Sequence, residues 1–383
     1  KGRNIPQTLN ADGKLEWEYV WTPFHSQHDF YETGLKFGHP SISGSPVLVK
    51  GGCFESEIKL PYGKQIKRAW IEQVTDSEKI TMDVTQHLKK DSDSMLTLRV
   101  LIEHAGEAKL LLELTDRTID FVVFNVIDSP RTIIEERIRH LVEHSYIDDP
   151  GDPNRYAFKP ISNQGESLGK LSLILAKNRI VGANKEEIRK VEKSAVHYVK
   201  MKWFINGDFN RPRYLYDSFY RIFDFDYIGQ IYYLLSRFDD DQLELHDSNT
   251  YLEWAAQVMI MRFDPSLHSG FREQKETELC GVFSSFMCDL LDDLKQGGLQ
   301  KLHEKLSALW QDFGIRLKAT GESLSGAITE HYYDNAGFGP SAETLSILGY
   351  EKEAERYGEL LLANIGFSND YRSQNPDRWW EAL

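Results

Sequence analysis

No stretch of this 383-residue chain reaches the roughly 18 consecutive apolar residues that a membrane-spanning helix needs, and even FVVFNVI from Phe121 stops short. Cysteine is scarce. Of the three, Cys280 and Cys288 fall in one predicted helix, about 12 Å apart at a rise of 1.5 Å per residue, beyond the roughly 7 Å Cα separation a disulfide tolerates. They read as buried apolar side chains, and their spacing builds no zinc site. Basic residues are outnumbered, 45 Lys and Arg against 59 Asp and Glu, a formal charge of −14. That field repels polyanions at long range, so nucleic acid is not an expected partner. A strongly acidic polysaccharide is disfavoured too, unless a local basic pocket overrides the field. There is no glycine-rich phosphate loop, no GxSxG elbow and no HExxH helix, which sets aside phosphoryl transfer, α/β-hydrolase and zinc-peptidase chemistry. HSQHD, His25 to Asp29, has no identifiable third ligand, and DDPGDPN from Asp148 lacks the oxygen ladder of a calcium loop. Neither a metal nor a cofactor is expected. No fixed-period repeat is visible, and the first residues, KGRNIPQTLNADGK, contain no apolar signal core, so any signal peptide is expected to be already removed or never present.

Apolar residues make up 41% of a chain long enough for two domains. The first third reads as strands: SPVLVKGG from Ser45, FESEIKL from Phe54, KRAWIEQV from Lys67, KITMDVT from Lys79, MLTLRVLIEH from Met95, AKLLLEL from Ala108 and IDFVVFNVI from Ile119. Seven short, alternating segments parted by turn residues predict an antiparallel β-sandwich over residues 1–130. Ser129 and Pro130 then open a helix whose stripe is Ile133, Ile134, Ile138, Leu141 and Val142. Residues 131–212 read as a linker: this helix, a proline-rich loop from Tyr146 to about Asn163, and a hairpin formed by LSLILAKN from Leu171 and AVHYVKMKWF from Ala195.

After Pro212 the apolar period changes from two to 3.6. Helices are predicted from Lys275 to Leu294, Leu299 to Phe313, Thr250 to Met261, Phe219 to Phe238 with a break at Asp224 to Asp226, and Ala354 to Ile365. Short Gly, Pro and Asp connections make antiparallel neighbours, so residues 213–383 are expected to form an (α/α) barrel. The count of about seven helices falls below the twelve of a closed toroid, and NPDRWWEAL looks like a helix start, so the natural protein is expected to continue.

Three constellations could carry chemistry. TEHYYDNAGFGPSAETL from Thr329 gathers Glu330, His331, Tyr332, Tyr333, Asp334 and Asn335 in a loop ahead of a helix. Cleaving a glycosidic bond takes an acid and usually a second carboxylate, which Glu330 and Asp334 could supply; solvated loop carboxylates are the plainer reading. DSFYRIFDFDYIG from Asp217 sets Asp224 and Asp226 among aromatic rings beside Tyr220 and Arg221, where desolvation would raise a carboxyl toward general-acid use; a helix break capped by aspartate is the structural alternative. SNDYRSQNPDRWWEAL from Ser368 holds Arg378, Trp379 and Trp380, and adjacent tryptophans on a helix point about 100° apart, so only one can face the core fully. Aromatic residues at 12%, with 18 Tyr and 8 Trp, suit sugar-stacking platforms, although packing explains most of them.

EHYYDNAGFGPSAETLSILG, followed by AERYGELLLANIGFSNDYRSQNPDRWWEAL, resembles a bacterial domain family of unknown function found in large secreted proteins, often beside carbohydrate-processing modules. SFYRIFDFDYIGQIYYLL and the β-rich start share the likeness. The resemblance implies a β-sandwich joined to an (α/α)6 toroid, an architecture used by glycoside hydrolases, sugar phosphorylases and polysaccharide lyases, and a secreted, periplasmic or cell-surface location. Fold alone does not choose among these activities. The favoured expectation is a glycoside hydrolase acting on an oligo- or polysaccharide, with Glu330, Asp334 and Asp226 as acid/base groups and His331, Tyr332, Tyr333, Asn335, Arg378, Trp379, Trp380, Tyr220 and Arg221 binding substrate. The alternatives are a lyase in which Tyr332 or Tyr333 with His331 removes a proton beside a uronate carboxylate that Asn335 helps to neutralise, and a non-catalytic glycan-binding module.

Overall fold

The computed structural model describes Gly13 and residues 21–23, 27–75, 78–92, 94–280, 284–319 and 337–364. The chain divides into two compact units, Lys1–Asp128 and Ser129–Leu383.

The first unit opens with helix α1 (Gln27–Lys36) and continues as β1 (Ser41–Gly44), β2 (Val47–Val49), β3 (Cys53–Lys59), β4 (Ile66–Val74), β5 (Lys79–Asp83), β6 (Leu88–Lys90), β7 (Met95–Leu101), β8 (Gly106–Leu114) and β9 (Ile119–Ile127). All seven segments read from the sequence are strands; β1 and β6, at four and three residues, were too short to show a period. They form a four-stranded sheet, β1-β3-β7-β6, and a five-stranded sheet, β2-β9-β8-β4-β5. All pairings are antiparallel except β2 with β9. Alternation drives the assembly. Ala108, Leu110, Leu112 and Leu114 of β8 point to one side and are wholly buried, and Phe54 of the smaller sheet stacks on Phe124 of the larger at 4.0 Å between centroids. Both sheets thus bury one common apolar layer.

The second unit is helical. Ser129 caps α2 (Pro130–His140), its hydroxyl accepting from the Thr132 amide at 3.1 Å. Next come α3 (Gly169–Val181), α4 (Lys185–Lys193) and α5 (Lys200–Trp203). A π-helical turn, Ser194–Val199, joins α4 to α5, so residues 185–203 form one rod. The hairpin expected from LSLILAKN and AVHYVKMKWF is therefore a helical pair. Those runs looked strand-like because they are densely apolar, yet Leu171, Ile174, Leu175, Ile188, Val191, Ala195 and Val199 are all buried at intervals of mostly three and four. Asn184 completes the turn between them by accepting from the amides of Glu186 and Glu187.

Helices α6 (Asp224–Leu235), α7 (Ser248–Phe263), α8 (Phe271–Glu276), α9 (Met287–Gln296), α10 (Gln300–Ala319), α11 (Phe338–Ile347) and α12 (Glu351–Asn364) follow, seven beyond Pro212 among the described residues. The single helix expected from Lys275 to Leu294 is in fact α8, an irregular stretch and α9. Arg262 explains the interruption: its guanidinium takes the carbonyls of Glu276 and Leu279 at 3.5 and 2.9 Å, oxygens that a continuous helix would have used itself. One apolar core runs through the unit from Ile138 to Tyr357. No helix of the described residues is long and apolar enough to cross a membrane.

Candidate active site

Of the constellations read from the sequence, only the one around Asp226 is described. Glu330, His331, Tyr332, Tyr333, Asp334 and Asn335, and Arg378, Trp379 and Trp380, lie outside the described residues. Asp226 lies in the first turn of α6 and is 2% exposed. The Arg262 Nε, at the end of α7, donates to its Oδ1 at 2.9 Å, which ties the start of one helix to the end of its antiparallel neighbour. An acid/base carboxylate must reach substrate, and this one is sealed against an internal cation. In this structure the expected catalytic carboxylate is buried and paired with Arg262.

The neighbouring groups are also turned inward. Tyr220 donates its hydroxyl to Nδ1 of His268 at 2.8 Å, while His268 Nε2 lies 2.8 Å from the carbonyl of Met261. A carbonyl only accepts, so Nε2 carries the proton and the ring is neutral, in keeping with the lowering of its pKa by burial. Arg221 grips Glu166 through two hydrogen bonds of 2.6 and 3.1 Å. Asp224 accepts from the Gly165 amide at 2.8 Å and from the Trp203 indole at 3.2 Å, and burial pushes its carboxyl up to about 7. Gly165 is required there, because a Cβ would sit 2.7 Å from the Asp224 backbone. Tyr220 and Arg221, expected to bind substrate, instead knit three chain segments together.

A different cluster is open to solvent, and the sequence reading missed it. On the rod formed by α4, the π-helical turn and α5, Lys193, His197 and Lys200 follow one another at intervals of four and three residues. His197 is exposed and lies in the π-helical turn, a kind of insertion that recurs at functional sites. Its ring stands 5.3 Å from that of Tyr156, over which the Arg155 guanidinium stacks at 4.6 Å. Tyr156 is held at φ +73°, a backbone conformation that side chains other than glycine avoid. Desolvation lowers the His197 pKa, and the nearby charges of Lys193, His246 and Arg155 lower it further, against a smaller opposing pull from Glu192. The imidazole is therefore neutral at pH 7 and able to accept a proton.

The segment leading into α7 brings His246 near enough to act on His197. His246 packs on Trp254 at 4.8 Å and on Tyr251 at 5.8 Å. Glu192, wholly buried in α4, fixes that segment: its carboxylate accepts from the amides of Glu244, Leu245 and His246 at 2.8, 2.9 and 3.4 Å and from the Tyr251 hydroxyl at 2.6 Å. The Lys200 ammonium lies over the Trp254 ring at 3.4 Å and the Phe209 ring at 4.9 Å, and burial lowers its pKa. In a chain of charge −14 this is a local concentration of cations, histidines and aromatic rings. It offers a neutral base, a phenol beside it and a cation. Among the described residues no group of three or more His, Cys, Asp and Glu is arranged to hold a metal.

No family model matches the chain, and no curated protein matches it. Among solved structures the chain is similar to a polysaccharide lyase at 15% identity and a TM-score of 0.71, over 90% of this chain and 51% of the lyase. The chain thus spans about half the length of that enzyme, and at this identity the likeness is one of fold. A superoxide reductase (neelaredoxin) from Ignicoccus hospitalis aligns with 23% of this chain and 80% of its own at 7% identity and a TM-score of 0.16, too slight to carry an argument.

Proposed function

We propose that the chain is the β-sandwich and helical part of a carbohydrate-active enzyme that cleaves a uronate-containing polysaccharide by β-elimination outside the cytoplasm, its helical pairs belonging to an (α/α)6 toroid. The observation that carries this reading is the neutral His197 set beside Tyr156 among aromatic rings and basic side chains, of which Lys193 and Arg155 pair with Glu244 and Asp148, in a chain that shares its fold with a polysaccharide lyase. In the elimination, His197 takes the proton from the sugar carbon next to the carboxylate. The electron pair left on that carbon forms the new double bond to its ring neighbour, the bond from that neighbour to the glycosidic oxygen breaks, and Tyr156 gives the departing oxygen its proton. A cation beside the carboxylate makes the first step feasible by stabilising the charge that develops there.

Elimination is preferred to hydrolysis on what is described. Hydrolysis was expected to draw on Glu330, Asp334 and Asp226. The first two are outside the described residues and weigh on neither side; Asp226 is buried against Arg262, whereas His197 and Tyr156 stand together with His197 exposed. His197→Gln tests the reading: activity on a uronate polymer should fall by roughly two to four orders of magnitude with little change in thermal stability, since the side chain is exposed. Full activity in this variant would reject the assignment.

A further inference from the structure

Lysine ammonium groups in folded proteins usually face water or a carboxylate, and Lys200 does neither in full. It is half-buried, its Nζ rests on the faces of Trp254 and Phe209, and no carboxylate of the described residues pairs with it. Aromatic faces attract a cation but do not cancel its charge, and removal from water strengthens its pull on any anion that reaches it. The holding rings are themselves fixed. Phe209 packs edge-on to Tyr232 and Trp254, and Trp254 packs edge-on to Tyr232, Tyr251 and His246. The ammonium is thus pre-positioned, and a bound carboxylate would gain a partner whose conformational freedom is already lost. Lys200 also follows His197 by three residues on the same rod.

We infer that Lys200, held by Trp254 and Phe209, is the specificity-determining cation that recognises the carboxylate of an acidic sugar unit beside His197. This rests on the β-elimination reading and adds to it the group that selects charged over neutral sugars. The like-sign field of the whole chain gives such a cation its use: a uronate polymer repelled at long range is recovered by a short-range contact.

The test is binding of trigalacturonate and of its methyl ester, measured by calorimetry on the intact chain and on Lys200→Met and Lys200→Arg. We expect Lys200→Met to weaken trigalacturonate at least tenfold while leaving the ester unchanged, and Lys200→Arg, which keeps the charge, to retain most of the affinity. Equal losses for acid and ester, or no loss in Lys200→Met, would overturn the inference. If Lys200→Met does not fold, the discrimination between acid and ester in the parent and in Lys200→Arg decides: its absence from both overturns the inference. Should the acid bind through Lys200 with no unsaturated product from a polymer, the elimination falls and this subsite stands. Should product form unchanged in Lys200→Met, the reverse holds.

Discussion

At the scale of single residues, the two kinds of charged group in the helical unit behave oppositely. Asp226 and Arg262 are a buried pair, and removing one partner leaves the other uncompensated. Arg262→Met is expected to lose about 3–5 kcal/mol in urea unfolding, and the double variant with Asp226→Asn should recover part of that loss. His197 faces solvent, so its substitution should act on rate. Because its pKa is lowered, activity should hold at neutral pH and fall only as the pH drops through that lowered value, where Lys193, Arg155 and His246 surround an imidazole that has become a cation. A rate falling with rising pH near neutrality would contradict its role as a base. Asp226 was visible in the sequence as a carboxylate among rings, but the sequence could not show Arg262 closing over it from another helix. His197 was passed over because its segment read as a strand. Read as a helix, the segment would have shown Lys193, His197 and Lys200 at intervals of four and three residues.

At the scale of elements, two buried carboxylates act as joints. Glu192 binds the segment before α7 to α4, and Glu192→Ala leaves three amides and a hydroxyl without their acceptor. The expected result is a loss of about 1–3 kcal/mol and faster proteolysis at 244–246; unchanged proteolysis would show that the segment holds itself. Asp224 joins α6 to α5 and to the turn before α3. With its carboxyl raised by burial to about 7 in the folded chain, well above the ordinary aspartate value of about 3.9, its protonated form favours folding. Its contribution should be complete below pH 4 and lost as the pH rises through 7. Relative to Asp224→Asn, the parent should therefore lose stability over that interval, a difference measurable by unfolding at a series of pH values. The strands and most helices were legible because each buries one face at its own period. The breaks were not, since Arg262 and the π-helical turn depend on partners distant in the chain.

At the scale of the whole molecule, a −14 charge coexists with a cation, Lys200, held on aromatic rings of the helical unit. A carboxylated ligand should then bind by contact, with no long-range steering to speed its association. The most direct test is incubation of the complete protein with a panel of uronate and neutral polysaccharides, following both reducing ends and the ultraviolet absorbance of a conjugated double bond. On a uronate polymer the two signals should rise together and both should vanish in His197→Gln. Reducing ends released without the absorbance, or absorbance undiminished in His197→Gln, would contradict the proposed elimination.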